Sequence, residues 1–74
     1  MNVLELKAKM VLREKTVDGM CAALGISRSA WFRKTTGASE FTQSEICTMR
    51  RELDLDDHET AQIFFNKKVS LKTP

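Results

Sequence analysis

Apolar residues recur at three- and four-residue spacing along most of the chain, and polar capping residues punctuate them. Leu6, Met10 and Val11 read as the inner stripe of a first amphipathic helix over residues 3–14. Thr16 is a good N-cap, and Asp18 in the turn after it suits the positive end of a helix dipole. Met20, Cys21 and Leu24 give a second helix, residues 17–24, its apolar stripe, and Gly25 closes it. Gly19 inside that short helix costs on the order of 1 kcal/mol relative to alanine, so the helix must be held by packing. Ile26 then leads to Ser27, another N-cap, and to a third helix from Arg28 to Thr35 that Gly37 ends.

The second half carries stronger start signals. Thr42 and Glu45 have the spacing of a capping box, with Phe41 placed to staple onto Ile46. Ile46, Met49 and Leu53 line the inner face of the fourth helix that follows. Asp56 and Glu59 repeat the capping pattern, and Ala61, Ile63, Phe64 and Phe65 carry a fifth helix to about Asn66. One ring of the Phe64-Phe65 pair is expected to pack beneath the first and fourth helices. The other is then left to cover a dimer or partner surface, because adjacent helical positions diverge. No stretch alternates with period two for long enough to predict a strand. The expected fold is an all-α bundle of about five short helices.

Composition narrows the class. Seventy-four residues suit one domain, and 42% hydrophobic with 30% charged residues describes a globular chain rather than a disordered one. No apolar run has the length of a membrane span, and the start Met1-Asn2-Val3-Leu4-Glu5 lacks a signal-peptide pattern. The expected compartment is therefore the cytoplasm. Cys21 and Cys47 both fall at apolar helical positions and are expected to be reduced core thiols. One histidine, His58, and no Cys-x-x-Cys pair leave a zinc site short of its four ligands. No nucleophile elbow, phosphate loop or acid–base pairing is present, so neither an enzyme nor a cofactor is expected.

The net charge is only +2, but it is unevenly distributed. Residues 1–34 hold seven Lys/Arg against three Asp/Glu, and residues 35–66 hold two against seven. Residues 67–74 add Lys67, Lys68 and Lys72 and read as a basic, flexible tail. A polyanion would prefer the first half and the tail.

Two short helices meeting at Gly25, with Ile26 filling the angle and small Cys21 allowing close approach, point to function. In that geometry the helix from Arg28 projects its first residues outward and can enter a DNA major groove. The stretch Leu24-Gly25-Ile26-Ser27-Arg28-Ser29, with Trp31, Arg33, Lys34 and Gly37 after it, resembles the phage repressor and Cro type of helix-turn-helix domain. That family is often grouped with Xre-type regulators. The likeness continues through Gly37-Ala38-Ser39-Glu40-Phe41-Thr42-Gln43-Ser44-Glu45-Ile46 and spans about residues 3–66. The chain departs from the family at three positions: Val17 replaces a polar residue, Thr35 a larger apolar one, and Lys15 an apolar one.

The resemblance implies a lambda-repressor-like domain over residues 1–66, with its helix-turn-helix at about 16–36. It implies Arg28, Ser29, Phe32 and Arg33 facing base edges of double-stranded operator DNA. Lys15, Lys34 and the backbone near Val17 would meet phosphates. Trp31 is expected in the core. Two functional readings stand. One is a Cro-like regulator that pairs as a homodimer on a pseudo-palindromic operator in a lytic–lysogenic switch. The other is an antirepressor that uses the same surface to bind and mask a heterologous repressor, with Phe32 and its arginines as anchors.

Overall fold

A computed structural model describes residues 1–65. It is all-helical over those residues: α1 (Val3–Leu12), α2 (Val17–Leu24), α3 (Arg28–Thr36), α4 (Gln43–Leu53) and α5 (Asp57–Phe64). The basic tail expected over residues 67–74, and Asn66 before it, lie outside the described residues.

Every helix start is fixed by a side chain. Asn2, Thr16, Ser27, Thr42 and Asp56 each accept a hydrogen bond from the backbone N–H three residues on. This satisfies one of the donors that a helix N-terminus otherwise leaves unpaired. Thr42 with Glu45, and Asp56 with Glu59, form complete capping boxes, as their spacing predicts. A Cβ at Gly19 would stand 3.2 Å from the Thr16 Oγ1, a tight contact at the start of α2.

Helix ends are less uniform. Gly25 takes the left-handed conformation at φ 71°, and the N–H groups of Gly25 and Ile26 donate to the carbonyls of Ala22 and Cys21. This paired closure is a Schellman motif. The same pair of bonds closes α1 at Glu14 and α4 at Asp54, at φ 58° and 52°. The first helix therefore stops at Leu12, short of the expected 14. No glycine announces that stop, because Glu14 itself adopts the turn.

The core joins all five helices: Leu6 and Met10 from α1, Met20 and Cys21 from α2, Trp31 from α3, Met49 and Leu53 from α4, and Ile63 from α5, with Leu55 from the α4–α5 turn. Val17, Leu24, Ile26, Phe41 and Phe64 pack around it. Helix α2 lies against both α3 and α4, while α1 lies against α5. The Asn2 N–H donates to the Ile63 carbonyl at 2.8 Å, and Lys9 reaches Glu59 at 2.6 Å, tying the α1–α5 contact with polar bonds. The three buried methionines suit such a junction, since an unbranched thioether fills irregular gaps between crossing helices.

Two expectations about the core are corrected. Cys47 is exposed, although its neighbour Ile46 is half-buried. It lies four residues from both Gln43 and Arg51, on the outward arc of α4, so only Cys21 is a core thiol. Val11 is also turned outward and is 78% exposed, leaving Leu6 and Met10 as the inner stripe of α1.

Candidate functional site

The α2–α3 corner is built by its turn. The left-handed Gly25 reverses the chain after α2, and half-buried Ile26 packs against the core beneath the bend. The Cys21 thiol approaches the Ser27 carbonyl at 3.8 Å, and Ser27 caps α3 through the Ala30 N–H. These bonds set where α3 begins, and Trp31 sets its rotation. The indole is buried and meets Phe41 edge-on, at 5.7 Å between ring centroids, and Phe41 meets Phe64 in the same manner at 6.0 Å.

With Trp31 turned inward, helical periodicity sends Arg28, Ser29, Phe32 and Arg33 to the outside, and all four are exposed. The structure thus brings together the four residues singled out from the sequence. Arg28 is not idle there. Its guanidinium contacts the Asp18 carboxylate at 3.0 Å and lies 5.8 Å from the centre of the Phe32 ring. Both partners are well exposed, so the ion pair is worth little energetically, but it orients the arginine across the α2–α3 corner. Arg33 has no carboxylate within ion-pair distance among the described residues. Thr36, one turn beyond Phe32, is exposed on the same arc. It escaped notice in the sequence because the helix was expected to end at Thr35, although the four-residue spacing from Phe32 was there to be read.

The residues expected at phosphates have different surroundings. Lys34 is turned inward rather than outward. Its ammonium contacts Glu45 at 3.0 Å, donates to the Glu40 carbonyl at 3.2 Å and lies 5.6 Å from the Phe41 ring centre. It is therefore a strut between α3 and the start of α4, and it drops out of the group facing outward. Burial raises the Glu45 pKa, but the Thr42 N–H bond and Lys34 outweigh it and hold the carboxyl below its ordinary range. Lys15 is half-exposed and paired with Glu52 at 3.3 Å. Val17, at the first position of α2, is half-buried against the core.

Val17 also lines an open groove of about 600 Å³ between α1 and α3, with Leu6, Met10, Trp31, Phe32 and Thr35 among its walls. Thr35, whose hydroxyl donates to the Phe32 carbonyl, forms part of that wall. Phe64 and Phe65 part company, as adjacent helical positions must. Phe64 packs against Phe41, whereas Phe65 is exposed. The half-buried Phe64 ring packs against the core and meets Phe41 of the α3–α4 connection. His58 is exposed. No helix is long and apolar enough to cross a membrane, and no three His, Cys, Asp or Glu side chains gather as a metal ion needs, both among the described residues.

Comparison with protein-family models, with curated proteins and with solved structures finds no match in any of the three.

Proposed function

We propose that the chain is a small, non-enzymatic transcription regulator of the phage repressor and Cro type, acting in the cytoplasm of a bacterial host. Its α2–α3 unit serves as a helix-turn-helix, and α3 reads operator DNA from the major groove. The observation that carries this reading is the joint exposure of Arg28, Ser29, Phe32 and Arg33 on one arc of a capped helix whose opposite side is locked by buried Trp31. Arg28 and Arg33 have the fork geometry to bond the N7 and O6 of guanine, Ser29 suits a base edge or a phosphate, and Phe32 suits a thymine methyl group. Lys15 remains a candidate for a phosphate, as do the N–H groups of the first turn of α2 near Val17. One copy spans too few base pairs to be selective, so the reading includes a homodimer on a two-fold operator.

A second reading is favoured by one specific contact. Arg28 contacts both Asp18 and Phe32, and together they make an exposed arginine–aromatic patch. Such patches anchor protein interfaces. An antirepressor would use this patch against a heterologous repressor and so mask its DNA-reading surface.

Fluorescence anisotropy with DNA flanking the gene, against scrambled DNA and across a salt series, separates the two. The regulator reading expects specific binding that weakens steeply with salt, because released counterions dominate the affinity. Arg28→Ala and Arg33→Ala should each cost about 1–3 kcal/mol of discrimination. Binding that is absent, or equal on scrambled DNA, removes the autonomous regulator and leaves the partner-binding reading. Phe32→Ala is then the first variant to measure against a repressor.

A further inference from the structure

The groove between α1 and α3 joins an apolar floor to a rim of one sign. Leu6, Met10 and Trp31 form the floor, and Val17 and Phe32 carry it toward the surface. Its charged wall residues are Lys7 and Lys15. No Asp or Glu of the described residues lines it, although the chain carries ten. Lys7 is exposed and has no carboxylate within ion-pair distance among the described residues. Lys15 shares its charge with Glu52 at 3.3 Å. A hollow at the α3–α4 connection, walled by Met1, Phe41, Phe64 and Phe65, lacks this character. It holds Glu40, and its lysine, Lys34, is committed to Glu45.

We infer that the α1–α3 groove binds a small amphiphilic carboxylate of the medium-chain fatty-acid class, its apolar chain along the floor and its carboxylate at Lys7. Charge complementarity selects this occupant. An anionic head meets a rim that carries only lysines, one of them without a partner, and an apolar body meets the floor. A basic segment, the chain's own Lys67-Lys68 stretch included, would meet like charge there. The size agrees as well. About 600 Å³ falls within the roughly 300–1,000 Å³ of small-molecule sites, which share mostly apolar walls and a few placed polar groups. The ten residues of α1 alongside span about 15 Å, which suits an extended chain of medium length.

Phe32 lines the groove and also stands on the outward arc of α3. On the regulator reading, an occupant therefore alters the surface offered to DNA. The binding itself does not rest on that reading and is measured without DNA, so the two fail separately.

Trp31 is the single tryptophan and forms part of the floor, so its fluorescence reports on the groove. Titrating the full chain with decanoate to about 1 mM should give a saturable change, with circular dichroism unchanged. Decanol and decylammonium, which pair the same apolar chain with a neutral or a cationic head, should each bind about tenfold more weakly, as loss of a charged hydrogen bond implies. Lys7→Glu should weaken decanoate by about the same factor and favour decylammonium instead. Lys7→Arg should keep decanoate bound. Lys7 is exposed, so neither variant should disturb the fold. Phe65→Ser, in the hollow at the α3–α4 connection, should change nothing. The proposal is overturned if decanoate gives no saturable change to about 1 mM, or if the three head groups bind alike. It is equally overturned if Lys7→Glu binds decanoate as the wild-type chain does, or if Phe65→Ser abolishes binding.

Discussion

Helices α1 and α4 are similar in length and bury comparable inner stripes, yet they present opposite chemistry to solvent. Helix α4 hides Met49 and Leu53 and turns Gln43, Ser44, Cys47 and Arg51 outward. Helix α1 hides Leu6 and Met10 and turns Leu4, Ala8, Val11 and Leu12 outward. For α4, amphipathicity alone explains how the helix sits. For α1 the apolar periodicity points two ways, and the side that faces inward is chosen by neighbours: the Asn2 bond to Ile63 and the Lys9–Glu59 contact turn the Leu6–Met10 side toward α5. An apolar side chain on a helix thus marks the core only where the opposite face is polar.

The largest expected effects lie on the inner faces, where the two helices should behave alike. Leu6→Ala in α1 and Leu53→Ala in α4 each remove a fully buried side chain, and denaturant unfolding should show losses of about 2–5 kcal/mol for each. A much smaller loss for Leu6→Ala would mean that α1 is loosely held and the comparison is wrong. At the helix starts the two should diverge. Asn2→Ala should cost about 1 kcal/mol. Thr42→Ala should cost more, because its capping box also positions Glu45 for Lys34.

The helix ends offer a gain. Glu14 closes α1 in the left-handed region at φ 58°, where a side chain is strained. Glu14→Gly should relieve that strain, offset in part by greater freedom of the unfolded chain, for a net rise of about 0.5 kcal/mol in thermal unfolding. The outer faces come last. Leu4→Lys and Cys47→Ser should each change monomer stability by less than about 0.5 kcal/mol.

Acid should reach both ends of the bundle. Glu45 and Glu59 titrate below their ordinary value of 4.5, Glu45 through Thr42 and Lys34 against the effect of burial, Glu59 through the Lys9 hydrogen bond and the Asp56 N–H. Folded values that are depressed mean stability fully present above about pH 4.5 and lost as pH falls through the lower folded values. Lys9 has the opposite sign. Its hydrogen bond to Glu59 raises it above 10.5, so its contribution is complete below that value and lost only as pH rises through the folded one. Unfolding followed across pH 3–11 should therefore show a plateau at neutral pH and a decline on each side. In Glu45→Gln the acid decline should be shallower.

The same distinction between local and distant causes governs what could be read in advance. The N-caps Thr16, Ser27, Thr42 and Asp56, both capping boxes and Gly25 at the corner were legible because each depends on residues within one or two turns. Asn2 was not read as a cap, and the outward set Arg28, Ser29, Phe32 and Arg33 came from the resemblance to helix-turn-helix domains. Lys34 was misplaced because its partner Glu45 lies eleven residues on, at the start of another helix. Cys47 was misplaced because its neighbour Ile46 made the local window look apolar, while the contacts that set the rotation of α4 come from α2. The early stop of α1 was hidden because Glu14 adopts a turn usually signalled by glycine.

The order and type of the five helices and most of their starts follow from the chain's own periodicity and capping chemistry. Those are short-range effects, and each is encoded within a few residues. Which face of α1 is covered, whether Lys34 points outward, and that an apolar groove opens between α1 and α3 were settled when the helices packed together. Each depends on groups that lie far apart along the chain and meet only in the folded bundle.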